Sequence, residues 1–122
     1  MYIKLDREYE VKTTLGTIRE IERVFGKSFF DVIQGVASMK VEEQIKMLYM
    51  GVKKANPDMT EKAFSDLCDD HIGLGDLMEH LEKFIFALQY PGLTEQEVQE
   101  KLEKKLKQAQ RLQVPLPKTK TG

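Results

Sequence analysis

The chain contains no tryptophan and a single cysteine, Cys68, in 122 residues. One cysteine excludes an internal disulfide, and its neighbours Leu67 and Ile72 mark it as a small core residue suited to a reducing compartment. Long apolar runs are also missing: no stretch approaches the ~18 residues that a membrane helix needs. The opening MYIKLDREYEVK has no apolar segment, so no secretory leader is expected. Nor is there an excess of positive charge. Against 19 Lys and Arg stand 20 Asp and Glu, a net charge of -1. Binding nucleic acid through bulk charge would require a basic surplus.

The residue patterns of catalysis are absent as well. No Ser or Cys sits in a nucleophile motif. Gly73-Leu74-Gly75 is too short to cradle a phosphate and follows no strand. Asp66, Asp69 and Asp70 lack the alternating spacing, the central Gly and the terminal Glu of a calcium loop. Cys68 and His71 can share one helix face, with Asp76 or His80 as further ligands. Zinc sites, however, come with paired Cys or His motifs. The favoured reading is a buried cysteine beside a solvated acidic helix end. No catalytic, cofactor-binding or metal-binding residue is expected, and the chain is not expected to be an enzyme.

What is present is amphipathic helix. The composition, 41% apolar and 32% charged, suits one globular domain with a charge-rich surface. Residues 2–12 alternate, with Ile3 and Leu5 before a polar break at Asp6–Glu8 and Tyr9 and Val11 after it, which predicts a short β-hairpin. A lone hairpin is marginal in water, so it must lean on the helices or on another chain.

Thr13 or Thr14 caps a first helix with Leu15, Ile18, Ile21, Val24 and Phe25 on one face, stopped by Gly26. Ser28 caps a short helix carrying Phe29, Phe30, Val32, Ile33 and Val36. Being apolar nearly all round, it is expected to be central to the core. Ser38 starts a third helix with Val41, Ile45, Leu48, Val52 and Ala55 inward, which fails at Asn56-Pro57. Thr60 caps a fourth, with Ala63, Phe64, Leu67, Cys68 and Ile72 inward, ending near Gly73. Asp76 caps a fifth, with Leu77, Leu81, Phe84, Ile85 and Leu88 inward, and Tyr90-Pro91-Gly92 breaks it.

Thr94-Glu95-Gln96-Glu97 is a capping box. The helix it opens has a thin apolar stripe, Val98, Leu102, Leu106, Ala109 and Leu112, among Glu, Lys, Gln and Arg. Such a helix is either a solvated extension or one that takes a partner. The expected organisation is therefore an all-α domain with a short N-terminal β-hairpin and an extended C-terminal helix. Residues 1–92 form the hairpin and helical core, 93–112 the charged helix, and 113–122, with Pro115 and Pro117, a disordered tail.

Charge is split along the chain. Residues 58–82 hold eight acidic side chains against Lys62 alone, and from residue 95 onward seven basic side chains face four acidic ones. That division reads either as two solvated faces or as complementary patches for self-association or a partner. Phe84, Val98, Leu102, Leu106 and Leu112 are the candidate protein-interaction residues. The methionines Met39, Met47, Met50, Met59 and Met78 either fill the core or line an adaptable groove.

The order of motifs carries a family resemblance. The hairpin leads into a helix with Ile21-Glu22, then Phe25-Gly26-Lys27-Ser28-Phe29-Phe30-Asp31. A helix containing Met47-Leu48-Tyr49-Met50-Gly51-Val52 follows, then Asn56-Pro57-Asp58-Met59-Thr60-Glu61 and an acidic helix. Over residues 2–90 this resembles the tail assembly chaperones of long-tailed, siphovirus-type phages and prophages of Gram-positive bacteria. In that family an I-E-x-x-F-G-K-S pattern, an L-x-x-G helix and a P-D-x-T cap recur in this order.

The resemblance implies a non-enzymatic protein of the bacterial cytoplasm, absent from the mature virion and without cofactors. It implies binding to the tape measure protein, which the chaperone keeps soluble, and a weaker link to the tail tube protein through a longer form made by ribosomal frameshifting. It also implies self-association, and no nucleic-acid or membrane partner. This chain would be the short form. The helix from residue 95 to 112 matches no family motif. The alternative reading is a helical cytoplasmic adaptor or regulator unrelated to phage.

Overall fold

A computed structural model of the chain describes residues 1–94, 96–97, 99–101 and 103–104. By their internal contacts the residues fall into two units, Met1–Gly92 and Leu93–Gly122. The first unit is mainly helical, with a two-stranded antiparallel hairpin at its start. Its elements are β1 (Tyr2–Lys4), β2 (Glu8–Glu10), α1 (Leu15–Phe25), α2 (Phe29–Gln34), a 3-10 turn (Val36–Ser38), α3 (Val41–Ala55), α4 (Glu61–His71) and α5 (Leu74–Gln89). No helix among the described residues is long and apolar enough to cross a membrane.

The hairpin follows the alternation of its sequence. Ile3 stands opposite Tyr9, and Ile3, Leu5, Tyr9 and Val11 are all buried, while Tyr2, Lys4, Glu8 and Glu10 face outward. Two strands cannot hold themselves together in water, and here they are tied to helices by named bonds. The Lys12 amide donates to the Gly51 carbonyl at 2.9 Å. The Lys12 carbonyl accepts from the Thr17 hydroxyl at 2.9 Å. Asn56 Nδ2 donates both to the Glu10 carbonyl at 3.0 Å and to the Val52 carbonyl at 2.9 Å.

Helix ends fall where the local chemistry puts them. The Thr14, Ser28 and Thr60 hydroxyls each accept an amide from the first turn of the helix they open, at 3.1–3.3 Å. Gly26 closes α1 with φ of 68°, the left-handed conformation that glycine adopts without a Cβ penalty. Asn56 ends α3 ahead of Pro57, and α5 stops at Gln89 before Pro91.

Two starts differ from the sequence reading. Ser38 lies in the 3-10 turn, and α3 begins after Lys40 with no side-chain cap. Asp76 is not the cap of α5, which is Gly73, but its third residue, whose carboxylate accepts the Gly73 amide at 3.1 Å. Gly73 has no side chain to return the bond, so half of the reciprocal cap is made.

The centre of the unit is α3, not α2. Every residue from Gln44 to Val52 except Lys46 is buried, and α1, α4, α5 and β2 all pack on it. In α2 only Phe29 and Val32 are buried, and Phe30 is 67% exposed. The sequence of α2 is apolar nearly all round, but six residues are too few to be surrounded, so one side remains open. Leu15, Val24, Val41 and Ala63, also expected inward, are exposed. Three of them, Leu15, Val41 and Ala63, lie in the first turn of their helices, where the apolar stripe runs past the neighbour that covers it.

Among the described glycines, Gly51 is the most closely packed. A Cβ there would stand 2.6 Å from Val11 Cγ1, 2.8 Å from the Lys12 carbonyl oxygen and 2.8 Å from Phe84 Cε1. The hairpin, α3 and α5 therefore meet at one position that only glycine fits. A Gly51→Ala variant gains helix propensity of ~1 kcal/mol but overpacks against backbone and a ring, at ~1–3 kcal/mol or more. It is expected to melt lower than the parent. Gly75→Ala, where a Cβ meets nothing within 4 Å, is expected to melt at the same temperature or higher. Thermal unfolding of the two variants reads the opposite signs, and equal shifts would remove Gly51 from this role.

Candidate functional site

The motifs that carry the family resemblance turn out to be joints of the fold. In the I-E-x-x-F-G-K-S stretch, Ile21 is fully buried and the Gly26 amide returns to the Glu22 carbonyl at 2.8 Å. The Glu22 carboxylate reaches across the corner and accepts the Phe29 amide, the first of α2, at 2.8 Å. Ser28 accepts the Asp31 amide. Two free amides at the α2 N-terminus are thus satisfied by side chains seven and three residues earlier, one of them charged.

In the L-x-x-G pattern, Leu48 is core and Gly51 is the close approach. In P-D-x-T, Thr60 caps α4 while the Tyr49 hydroxyl donates to the Met59 carbonyl at 2.8 Å.

The five candidate interaction residues fare differently. Phe84 is fully buried against the Gly51 position, in the α5 stripe with Leu77, Leu81 and Leu88. It is a core residue and not a surface anchor. The single-face reading of α5 left it ambiguous because core and contact residues share the same period. Val98, Leu102, Leu106 and Leu112 lie outside the described residues, as does the tail from 113 to 122.

What is described of the second unit is its start. The Thr94 amide donates to Glu97 Oε1 and the Glu97 amide to Thr94 Oγ1, both at 3.1 Å. These bonds form the capping box read from the sequence. They hold the Glu97 carboxyl below its ordinary range, through the Thr94 amide first and then the Thr94 hydroxyl.

The acidic stretch around Cys68 does not converge. Cys68 is buried, whereas Asp69, Asp70 and His71 are exposed and Asp76 is held on the Gly73 amide. Among the described residues no three His, Cys, Asp or Glu side chains come together as metal ligands. Burial, with a smaller push from the Asp69 charge, raises the Cys68 thiol from 9.0 to about 11.

Surface hollows lined by described residues include three that open to solvent. The first, about 430 Å³, is lined by Val41, Ile45, Cys68, Asp69, Ile72, Gly73, Leu74 and Leu77, where the start of α3, the end of α4 and the start of α5 meet. Its two most exposed aliphatic residues, Val41 at 48% and Leu74 at 60%, stand in solvent.

The second, about 380 Å³, is lined by Arg7, Tyr9, Asn56, Pro57, Asp58, Met59 and Ala63. There the Arg7 guanidinium lies 4.7 Å over the Tyr9 ring, and the Tyr9 hydroxyl donates to Asp6 at 2.7 Å, which lowers the Asp6 carboxyl. The third, about 310 Å³, is lined by Glu20, Met50, Lys53, Lys54 and Pro57.

Sequence reasoning missed the first hollow because it assigned Val41 to the core and placed Leu74 in a loop. The signal for it was the pair of aliphatic residues at two helix starts flanking an acidic helix end. No protein-family model, curated protein or solved structure matches the chain, so the resemblance to tail assembly chaperones stands on its motifs alone.

Two expectations follow. Glu22→Ala leaves the Phe29 amide without its charged acceptor and is expected to cost about 1 kcal/mol in chemical denaturation, with Glu22→Gln costing less. No loss would mean that water caps α2 equally well. For Cys68, the folded chain holds the thiol neutral to about pH 11. The stabilisation from the neutral thiol is therefore fully present below pH 9.0 and lost as the pH rises toward 11. At neutral pH the native chain is expected to react with a thiol reagent at least roughly 100-fold more slowly than the unfolded chain. Equal rates would contradict the burial of Cys68.

Proposed function

We propose that this chain is a tail assembly chaperone of the siphovirus kind. In this reading it is a non-enzymatic, self-associating protein that binds a long amphipathic helical partner, the tape measure protein. It keeps that partner soluble in the bacterial cytoplasm and helps bring tail tube subunits to it. The observation that carries the proposal is the ordered motif set over residues 2–90.

The surface adds support of a different kind. A chaperone for a long helix must cover repeated aliphatic side chains, and helix-in-groove docking is the mode that does so. The hollow between Val41 and Leu74 is mostly apolar and opens to solvent. Phe84, with no exposed surface, is not available for such a contact. The absence of a catalytic constellation in the sequence accords with a protein that works through surfaces.

The second reading, a helical adaptor unrelated to phage, is favoured by one observation. Glu22, Ser28, Gly51 and Thr60 all serve the fold. A helical protein with the same corners would carry the same motifs whatever it bound.

Co-expression with a tape measure protein separates the two readings. The chaperone reading expects a soluble complex that co-purifies, with no turnover of any small molecule. Equal solubility of that partner with and without this chain, and no complex, would leave the adaptor reading.

A further inference from the structure

We propose that the hollow between Val41 and Leu74 is a socket for the apolar stripe of residues 98–112 from a second copy of this chain. The inference rests on the self-association in the reading above and not on tape measure binding.

The socket has an apolar floor of Ile45, Cys68, Ile72 and Leu77, with Val41 and Leu74 as exposed lips. Hydrocarbon left in water on both sides of an apolar trough gains by being covered. Its charge is of one sign. Asp69 lines it, Asp70 follows on the exposed end of α4, and the Asp76 carboxylate stands on the Gly73 amide at its edge. An occupant that buries aliphatic side chains there must therefore carry cations beside them.

The chain itself supplies that chemistry. Leu102, Leu106 and Ala109 recur at steps of four and three, the i, i+4, i+7 spacing of a helix laid in a groove. Lys105, Lys107 and Arg111 are interleaved with them. From residue 104 to 122 there are six basic side chains and no acidic one. An apolar trough with an acidic edge and an apolar stripe with basic flanks are thus present on one polypeptide, in segments that do not overlap. Opposite charge steers the encounter and fixes its direction, while the aliphatic contacts hold it. Because plug and socket are different surfaces, two copies can exchange plugs reciprocally as a two-fold pair or join head to tail.

A charge-swap experiment on the full chain tests this. One variant carries Asp69→Lys and Asp70→Lys, both exposed positions. The other carries Lys104→Glu, Lys105→Glu and Lys107→Glu. Sedimentation at low salt is expected to show association of the parent, and a dissociation constant raised about tenfold or more in each variant alone. An equimolar mixture of the two should associate again, because each variant's plug then matches the other's socket.

Leu74→Glu, an exposed substitution, is the control for the apolar part. It should abolish association with the melting temperature unchanged. A monomeric parent would overturn the self-association reading and the socket together. Variants that associate like the parent, or a mixture that stays monomeric, would overturn the socket alone and point to another interface or to a segment folding back on its own chain.

Discussion

The structure depends on a contact between backbones. At Gly51 the hairpin's outgoing strand comes so close to α3 that Val11 and the Lys12 carbonyl occupy the space of a Cβ, with Phe84 of α5 on the same spot. The approach allows the Lys12 amide to bond the Gly51 carbonyl, and the Lys12 carbonyl in turn takes the Thr17 hydroxyl of α1. Four elements are thereby fixed through two consecutive peptide groups. Gly in a helix costs ~1 kcal/mol against Ala, and here that cost is offset by buried contacts among Val11, Phe84 and the flanking Leu48 and Val52. The short hairpin, which could not persist alone, becomes a lid on the core.

Much of this was legible in the residues, and the reason differs from element to element. Thr14, Ser28, Thr60, Gly26 and Asn56-Pro57 mark helix ends because capping and chain reversal are local chemistry, set within four residues. The alternation of Ile3, Leu5, Tyr9 and Val11 gave both the hairpin and its buried face. The meeting of Val11 with Gly51, forty residues apart, was not legible, because no local pattern says which glycine is a crossing and which is filler.

Periodicity also failed to rank the helices. It names the residues that share a stripe, but not how far the covering neighbour extends, so Leu15, Val41 and Phe30 were read as core and stand in solvent. It likewise assigned Phe84 two roles at once. Only its burial, with no exposed surface, decides for the core. Gln44 gave no signal either. It is buried in α3 with Nε2 on the Val36 carbonyl at 2.9 Å and no partner for Oε1. It fixes the 3-10 turn to α3 at a desolvation cost.

The functional picture follows from the same division. Residues whose spacing resembles a family serve as corners, and the surface that remains is an apolar trough with an acidic edge. The close-packed joint at Gly51 and the hollow at the α3, α4 and α5 ends lie in different parts of the unit.

Amide hydrogen exchange of the full chain over a concentration series tests this account most directly. Amides around Val11, Lys12 and the centre of α3 should be protected to the level of global unfolding at every concentration. Amides from Ile72 to Leu77, at the end of α4 and the start of α5, should become slower to exchange as concentration rises and recover their fast exchange in high salt. If the Val11 to Gly51 joint exchanges as readily as the helix ends, or if the amides of residues 72–77 ignore both concentration and salt, the account of a fixed joint and a working face is wrong.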